Sequence, residues 1–129
     1  MKNSFRILLL VLGIIALLRE VFLGIPGLGG TYILSLGWAP LGTSILLFGI
    51  MAIIMFADRY GRSKELLWVP VMGIVFSLLA FIPVIGMLLH WIMTFVLVYF
   101  IIRLMSMPAQ YGNTRVYYGG DTDKTVNRR

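Results

Sequence analysis

The sequence predicts an all-α integral membrane protein with four transmembrane helices, the last two forming a tight antiparallel hairpin and both termini cytoplasmic. Three observations predict it. Four apolar stretches, at about residues 7–25, 41–57, 66–82 and 86–105, divide the chain. Each approaches the ~20 residues a helix needs to cross ~30 Å of hydrocarbon, where the backbone must satisfy its own polar groups. The 129 residues are 60% hydrophobic and only 12% charged, with mean hydropathy +0.95, too little charge to cover a soluble domain of this size. The third observation is where the basic residues fall. Lys2 and Arg6 precede the first stretch, Arg59, Arg62 and Lys64 separate the second and third, and Arg103, Arg115, Lys124, Arg128 and Arg129 end or follow the fourth. The segments expected outside, residues 25–40 and 83–86, have none, which is the positive-inside pattern.

The net charge of +6 and pI near 10.1 would suggest nucleic acid for a soluble chain, but the orientation rule accounts for these charges and no nucleic-acid partner is expected. With no cysteine and one histidine, disulfides, thiol chemistry and a metal-ligand set are not expected. No cofactor motif is present. The partners expected are the lipid bilayer and another membrane protein, or self-association.

The first helix opens on Lys2 and Arg6 like a signal peptide. However, Arg19-Glu20 and further apolar residues stand where a small-x-small cleavage site would be, so an uncleaved helix is expected. Ile25-Pro26-Gly27-Leu28-Gly29-Gly30 ends it, because proline cannot continue a helix and glycines favour turns. Residues 31–40 are apolar, uncharged and too short to span. Tyr32 and Trp38 suit the outer interface, and a shallow re-entrant piece is the alternative. Pro40 falls in the first turn of the second helix, where its missing N–H is harmless. Asp58 to Glu65 reads as a tight charged cytoplasmic loop, followed by Trp68 at the inner interface and Pro70 in the first turn of the third helix. Pro83 and Gly86 split a 40-residue apolar run, 66–105, into two antiparallel neighbours. Residues 1–105 thus form the transmembrane domain. Residues 106–129 form a polar cytoplasmic tail expected to be mobile, within which Arg115-Val116-Tyr117-Tyr118 could add as a strand to another protein.

Three ionisable residues lie well inside the apolar stretches: Arg19, Glu20 and His90. Such residues are costly in lipid and are functional candidates by default. Arg19 is 13 residues beyond Arg6, and His90 is 13 residues before Arg103. If Arg6 and Arg103 mark the inner boundary, both lie about 20 Å above it, at one level in the outer third of the membrane. Gly13, Ala16, Glu20 and Gly24 recur at three- and four-residue steps, a small-residue stripe that turns Glu20 toward protein. Arg19, about 100° around the helix, can reach the outer headgroups. His90 and Thr94 share a face, and Gly73 and Ser77 form a small-xxx-small packing pair.

Arg19, Glu20, His90 and Thr94, with Thr43 and Ser44, could form a polar cluster that relays a proton or binds a cation. The structural alternative has Arg19 snorkelling, Glu20 paired with it or capping a neighbour, and His90 bonded to a carbonyl near water. No nucleophile motif, phosphate loop or metal set accompanies them, so an enzyme is not expected and a lipid-modifying acid/base pair ranks last. The expected function is a small accessory, stabilising or regulatory subunit of a larger membrane partner. The alternative is an oligomeric ion- or proton-coupled transporter or channel using Glu20 and His90. The compact form and short loops suggest a bacterial cytoplasmic membrane.

Overall fold

A computed structural model describes residues 3–58 and 62–108, which form helices and turns with no strand among them. The expected tail, with Arg115 to Tyr118, and the loop residues 59–61 lie outside the described residues. The element order is α1 (Asn3–Gly24), α2 (Leu28–Ser35), α3 (Ala39–Ala57), a 3-10 turn (Arg62–Leu66), α4 (Trp68–Leu79) and α5 (Pro83–Ser106). Helices α1, α3 and α5, of 22, 19 and 24 residues, are long and apolar enough to cross a membrane.

Two elements differ from the sequence expectation. The helix expected at 66–82 is α4, with 12 residues, or about 18 Å. Hydropathy marks the whole run as apolar, but its first part is spent on the 3-10 turn and its last three residues on the link to α5. That link is residues 80–82; Pro83 is not in the turn but opens α5, and Gly86 lies within it. The second difference is α2. The glycine-rich segment expected to be a turn starts a helix of eight residues at Leu28. Chain reversal occurs instead on either side, at Gly27 (φ 82°) and at Gly37 and Trp38 (φ 57° and 68°). Gly29 is needed for a different reason. A Cβ there would collide with the Leu23 carbonyl, so only glycine lets α2 sit down on the end of α1.

Three residue pairs define the main seam. Arg6 Nη2 donates to the Met105 carbonyl at 2.7 Å, Gly13 faces the Phe100 ring, and Trp91 Nε1 donates to the Gly24 carbonyl at 3.0 Å. Numbers rise along α1 as they fall along α5, so the two helices run antiparallel along their full length. Helix α3 packs on α4 and α1, and α4 also packs on α5. A side chain comes close to a helix backbone at Gly73 on α4, where an added Cβ would lie 2.6 Å from ring carbons of buried Phe48 on α3. The core joins Leu9, Phe48, Met51, Met93, Leu97 and Phe100. A second, smaller cluster of Leu23, Ile33, Leu41 and Ala80, with Trp38 packed on it, lies under α2 at one end of the bundle. The outward faces are equally apolar: Leu18, Ile53, Phe95 and Val84 are 66–70% exposed. An exterior of this kind suits hydrocarbon and not water.

The glycines of the bundle fall into two kinds, and alanine substitution separates them. Gly73→Ala is expected to push the Phe48 ring aside and destabilise by about 1–3 kcal/mol, the usual cost of overpacking. Gly49→Ala, whose Cβ meets nothing within 4 Å, is expected to be neutral or to gain up to about 1 kcal/mol from helix propensity. Thermal unfolding in mild detergent followed by circular dichroism measures both. Equal melting temperatures for the two variants would contradict the packing described at Gly73.

Candidate functional site

The stripe Gly13, Ala16, Glu20 and Gly24 is the buried face of α1 and lies against α5. Glycine and alanine let the backbones approach, and that approach brings the Glu20 side chain to His90. Glu20 Oε2 and His90 Nδ1 are 2.6 Å apart, and each residue is only 3% exposed. The pair joins residues 70 positions apart in sequence. A contact this short holds a hydrogen between oxygen and nitrogen, and in a low-dielectric interior such a bond is stronger than in water.

The other polar residues are not all drawn into this pair. Thr94 Oγ1 donates to the carbonyl of His90 at 2.8 Å, one turn back on α5, and so steadies that turn. Ser77 Oγ donates to the Gly73 carbonyl in the same way at 2.8 Å. Arg19 does not pair with Glu20 either. Its guanidinium donates to the Pro40 carbonyl and to Thr43 Oγ1, tying α1 to the first turn of α3. The neighbouring helix offers this carbonyl in its first turn. Ser44 Oγ and His90 Nε2 are buried and have no hydrogen-bond partner among the described residues.

Beneath α2 lies an apolar cavity of about 200 Å³, lined among others by Leu23, Ile33, Trp38, Ala80, Met87 and His90. Sequence reasoning missed it, because its roof is α2, whose start composition assigned to a turn and whose remainder to an interfacial or re-entrant piece. It also missed the Trp91–Gly24 bond, which needs the register of α5 against α1; the aromatic beside His90 was the one available hint. Among the described residues no group of three or more His, Cys, Asp or Glu could hold a metal.

No protein-family model, curated protein or solved structure matches this chain. Its own chemistry is what speaks to function. A buried carboxyl–imidazole pair can hold a proton or fix two helices together.

Removing either partner leaves the other buried without its bond. Glu20→Ala and His90→Ala are each expected to destabilise by about 1–3 kcal/mol. Because both remove one interaction, the double variant is expected to cost no more than about the worse single one. Chemical unfolding of the four proteins in detergent gives the coupling; strictly additive losses would show that the contact contributes nothing.

Proposed function

We propose that this chain is a small non-enzymatic membrane protein that acts as an accessory, stabilising or regulatory subunit of a larger membrane partner. On this reading α1, α3, α5 and the shorter α4, lengthened by its 3-10 turn, cross the bilayer four times. Both termini then lie on the inner side of a bacterial cytoplasmic membrane, as the basic residues favour.

The observation that carries the partner reading is the outward face of α3. Gly42 and Gly49 are seven residues apart, hence on one face, and a Cβ at either meets nothing within 4 Å. Exposed Leu46, Ile50 and Ile53 surround them. Glycine inside a helix costs about 1 kcal/mol relative to alanine, and here no contact among the described residues repays it. A shallow notch between large apolar side chains is the surface a second transmembrane helix packs into.

A second reading, a proton- or ion-coupled transporter working as an oligomer, draws support from the buried Glu20–His90 contact. The two readings separate in one experiment. Purification in mild detergent is expected to bring down a stoichiometric larger membrane protein, and Gly42→Leu combined with Gly49→Leu is expected to reduce its recovery at least about tenfold while the chain still accumulates. Glu20→Gln is expected to leave recovery unchanged. A chain that purifies without a partner, and whose proton flux in liposomes is abolished by Glu20→Gln, would overturn the subunit reading in favour of the transporter.

Topology is tested independently in whole cells with an impermeant thiol reagent, since the chain has no cysteine of its own. Ser35→Cys, on exposed α2, is expected to react and Lys64→Cys to be protected; the opposite pattern would invert the proposed orientation.

A further inference from the structure

A second cleft opens at the opposite end of the bundle, where the 3-10 turn meets the last turn of α5. It has a volume of about 270 Å³ and is lined by Glu65, Arg103, Ser106, Met107 and Pro108. The two charged residues are placed by their neighbours in sequence. Leu66 and Leu104 are buried in the main core, which fixes the main chain beside Glu65 and Arg103, while both charged side chains are exposed. The charges nevertheless do not meet. Among the described residues no ion pair joins Glu65 to Arg103, and neither side chain makes a hydrogen bond. Opposite charges that line one cleft without pairing leave room for a group that carries both signs. Ser106 Oγ donates its own hydrogen to the Ile102 carbonyl and keeps its capacity to accept. The cleft thus offers a forked donor in Arg103 and two acceptors in Glu65 and Ser106.

An aromatic pair sets the level of this cleft. Tyr99 stands one turn before Arg103 on α5, and Trp68 three residues after Glu65; both are exposed and their rings lie 6.1 Å apart. Exposed aromatics of this kind belong at the membrane–water boundary, with acyl chains on one side and headgroups on the other. A guanidinium at that boundary takes a phosphate through paired N–H bonds. A head carrying only negative charge would set its phosphate beside the Glu65 carboxylate, which repels it. A quaternary ammonium has no N–H for Glu65 or Ser106 to accept, whereas a primary ammonium has three. We propose that this cleft binds the headgroup of an ethanolamine phospholipid. Its phosphate lies on Arg103, its ammonium donates to Glu65 and to Ser106 Oγ, and its acyl chains run past Trp68 and Tyr99. The inference rests on the chain lying in a bilayer and requires no protein partner.

The full chain in mild detergent provides the test. Dioleoyl phosphatidylethanolamine, phosphatidylcholine and phosphatidylglycerol share their acyl chains and differ only in the head, and native mass spectrometry of a titration with each gives the affinity for the first lipid bound. The ethanolamine lipid is expected to bind at least about fivefold more tightly than either of the others. Glu65→Gln is expected to bring the ethanolamine lipid down to the level of the choline lipid and to strengthen the glycerol lipid, since it removes both an acceptor and a repulsion. Arg103→Gln is expected to weaken all three at least about fivefold. Both positions are exposed, so the melting temperature of each variant is expected to stay that of the unmodified chain. Choline or glycerol lipid binding as tightly as ethanolamine lipid to the unmodified chain overturns the proposal whatever the variants do. So does an ethanolamine preference that survives in Glu65→Gln. Displacement of the bound lipid by an equimolar amount of tail-free phosphoethanolamine overturns the assignment to a lipid.

Discussion

The register of α1 against α5 is the constraint on which the rest of the structure depends. Four contacts along that seam must be made together: Arg6 to Met105, Gly13 to Phe100, Glu20 to His90 and Gly24 to Trp91. Sliding one helix by a turn, about 5.4 Å, breaks all four at once and parts the buried carboxyl from the imidazole. The seam therefore has one deep minimum. The ends of α1 and α5 fix the seat of α2, and α2 roofs the cavity that His90 lines.

An apolar exterior changes what holds such a bundle together. In lipid, burying leucine against leucine replaces one hydrocarbon contact with another, so close packing and hydrogen bonds carry the association. The glycines of the chain follow that division. Gly13, Gly24 and Gly73 each face an aromatic ring across an interface, and Gly29 accepts the end of α1. The hydroxyls of Ser77, Thr94 and Ser106 each bond back to the carbonyl four residues earlier, at 2.8 Å, and so place no demand on a neighbouring helix. Interhelical polar contacts among the described residues are few as a result, and the Glu20–His90 bond stands out among them.

The parts of this arrangement legible in the sequence are those set by composition and by helical period. Hydropathy marks the long helices, Pro40 marks the start of α3, and three- and four-residue spacing gathers Gly13, Ala16, Glu20 and Gly24, which share the buried face of α1. Counting residues from Arg6 and Arg103 puts Glu20 and His90 at nearly one depth, and in the structure they touch. The rest depends on neighbours that composition does not record. Gly29 and Gly30 carry the same symbol as turn glycines, yet they lie inside a helix, because the reason for glycine at 29 is the Leu23 carbonyl in front of it. The apolar run 66–105 does not reveal that its start is a 3-10 turn and that α4 has only 12 residues. Arg19 finds a carbonyl on α3 that no spacing rule points to.

Trp38 illustrates a conflict between main chain and side chain that the fold resolves in favour of the side chain. At φ 68° it occupies a region where glycine would rest without penalty. Its indole stacks on Phe81 with ring centroids 4.8 Å apart, and its backbone N–H donates to the Ile33 carbonyl. The link from α2 to α3 is thereby fastened to the link between α4 and α5. A glycine would relax the backbone but unfasten the two links, whereas tryptophan accepts local discomfort and joins them. The chain reversal at this end thus doubles as a rivet between two connections that are distant in sequence.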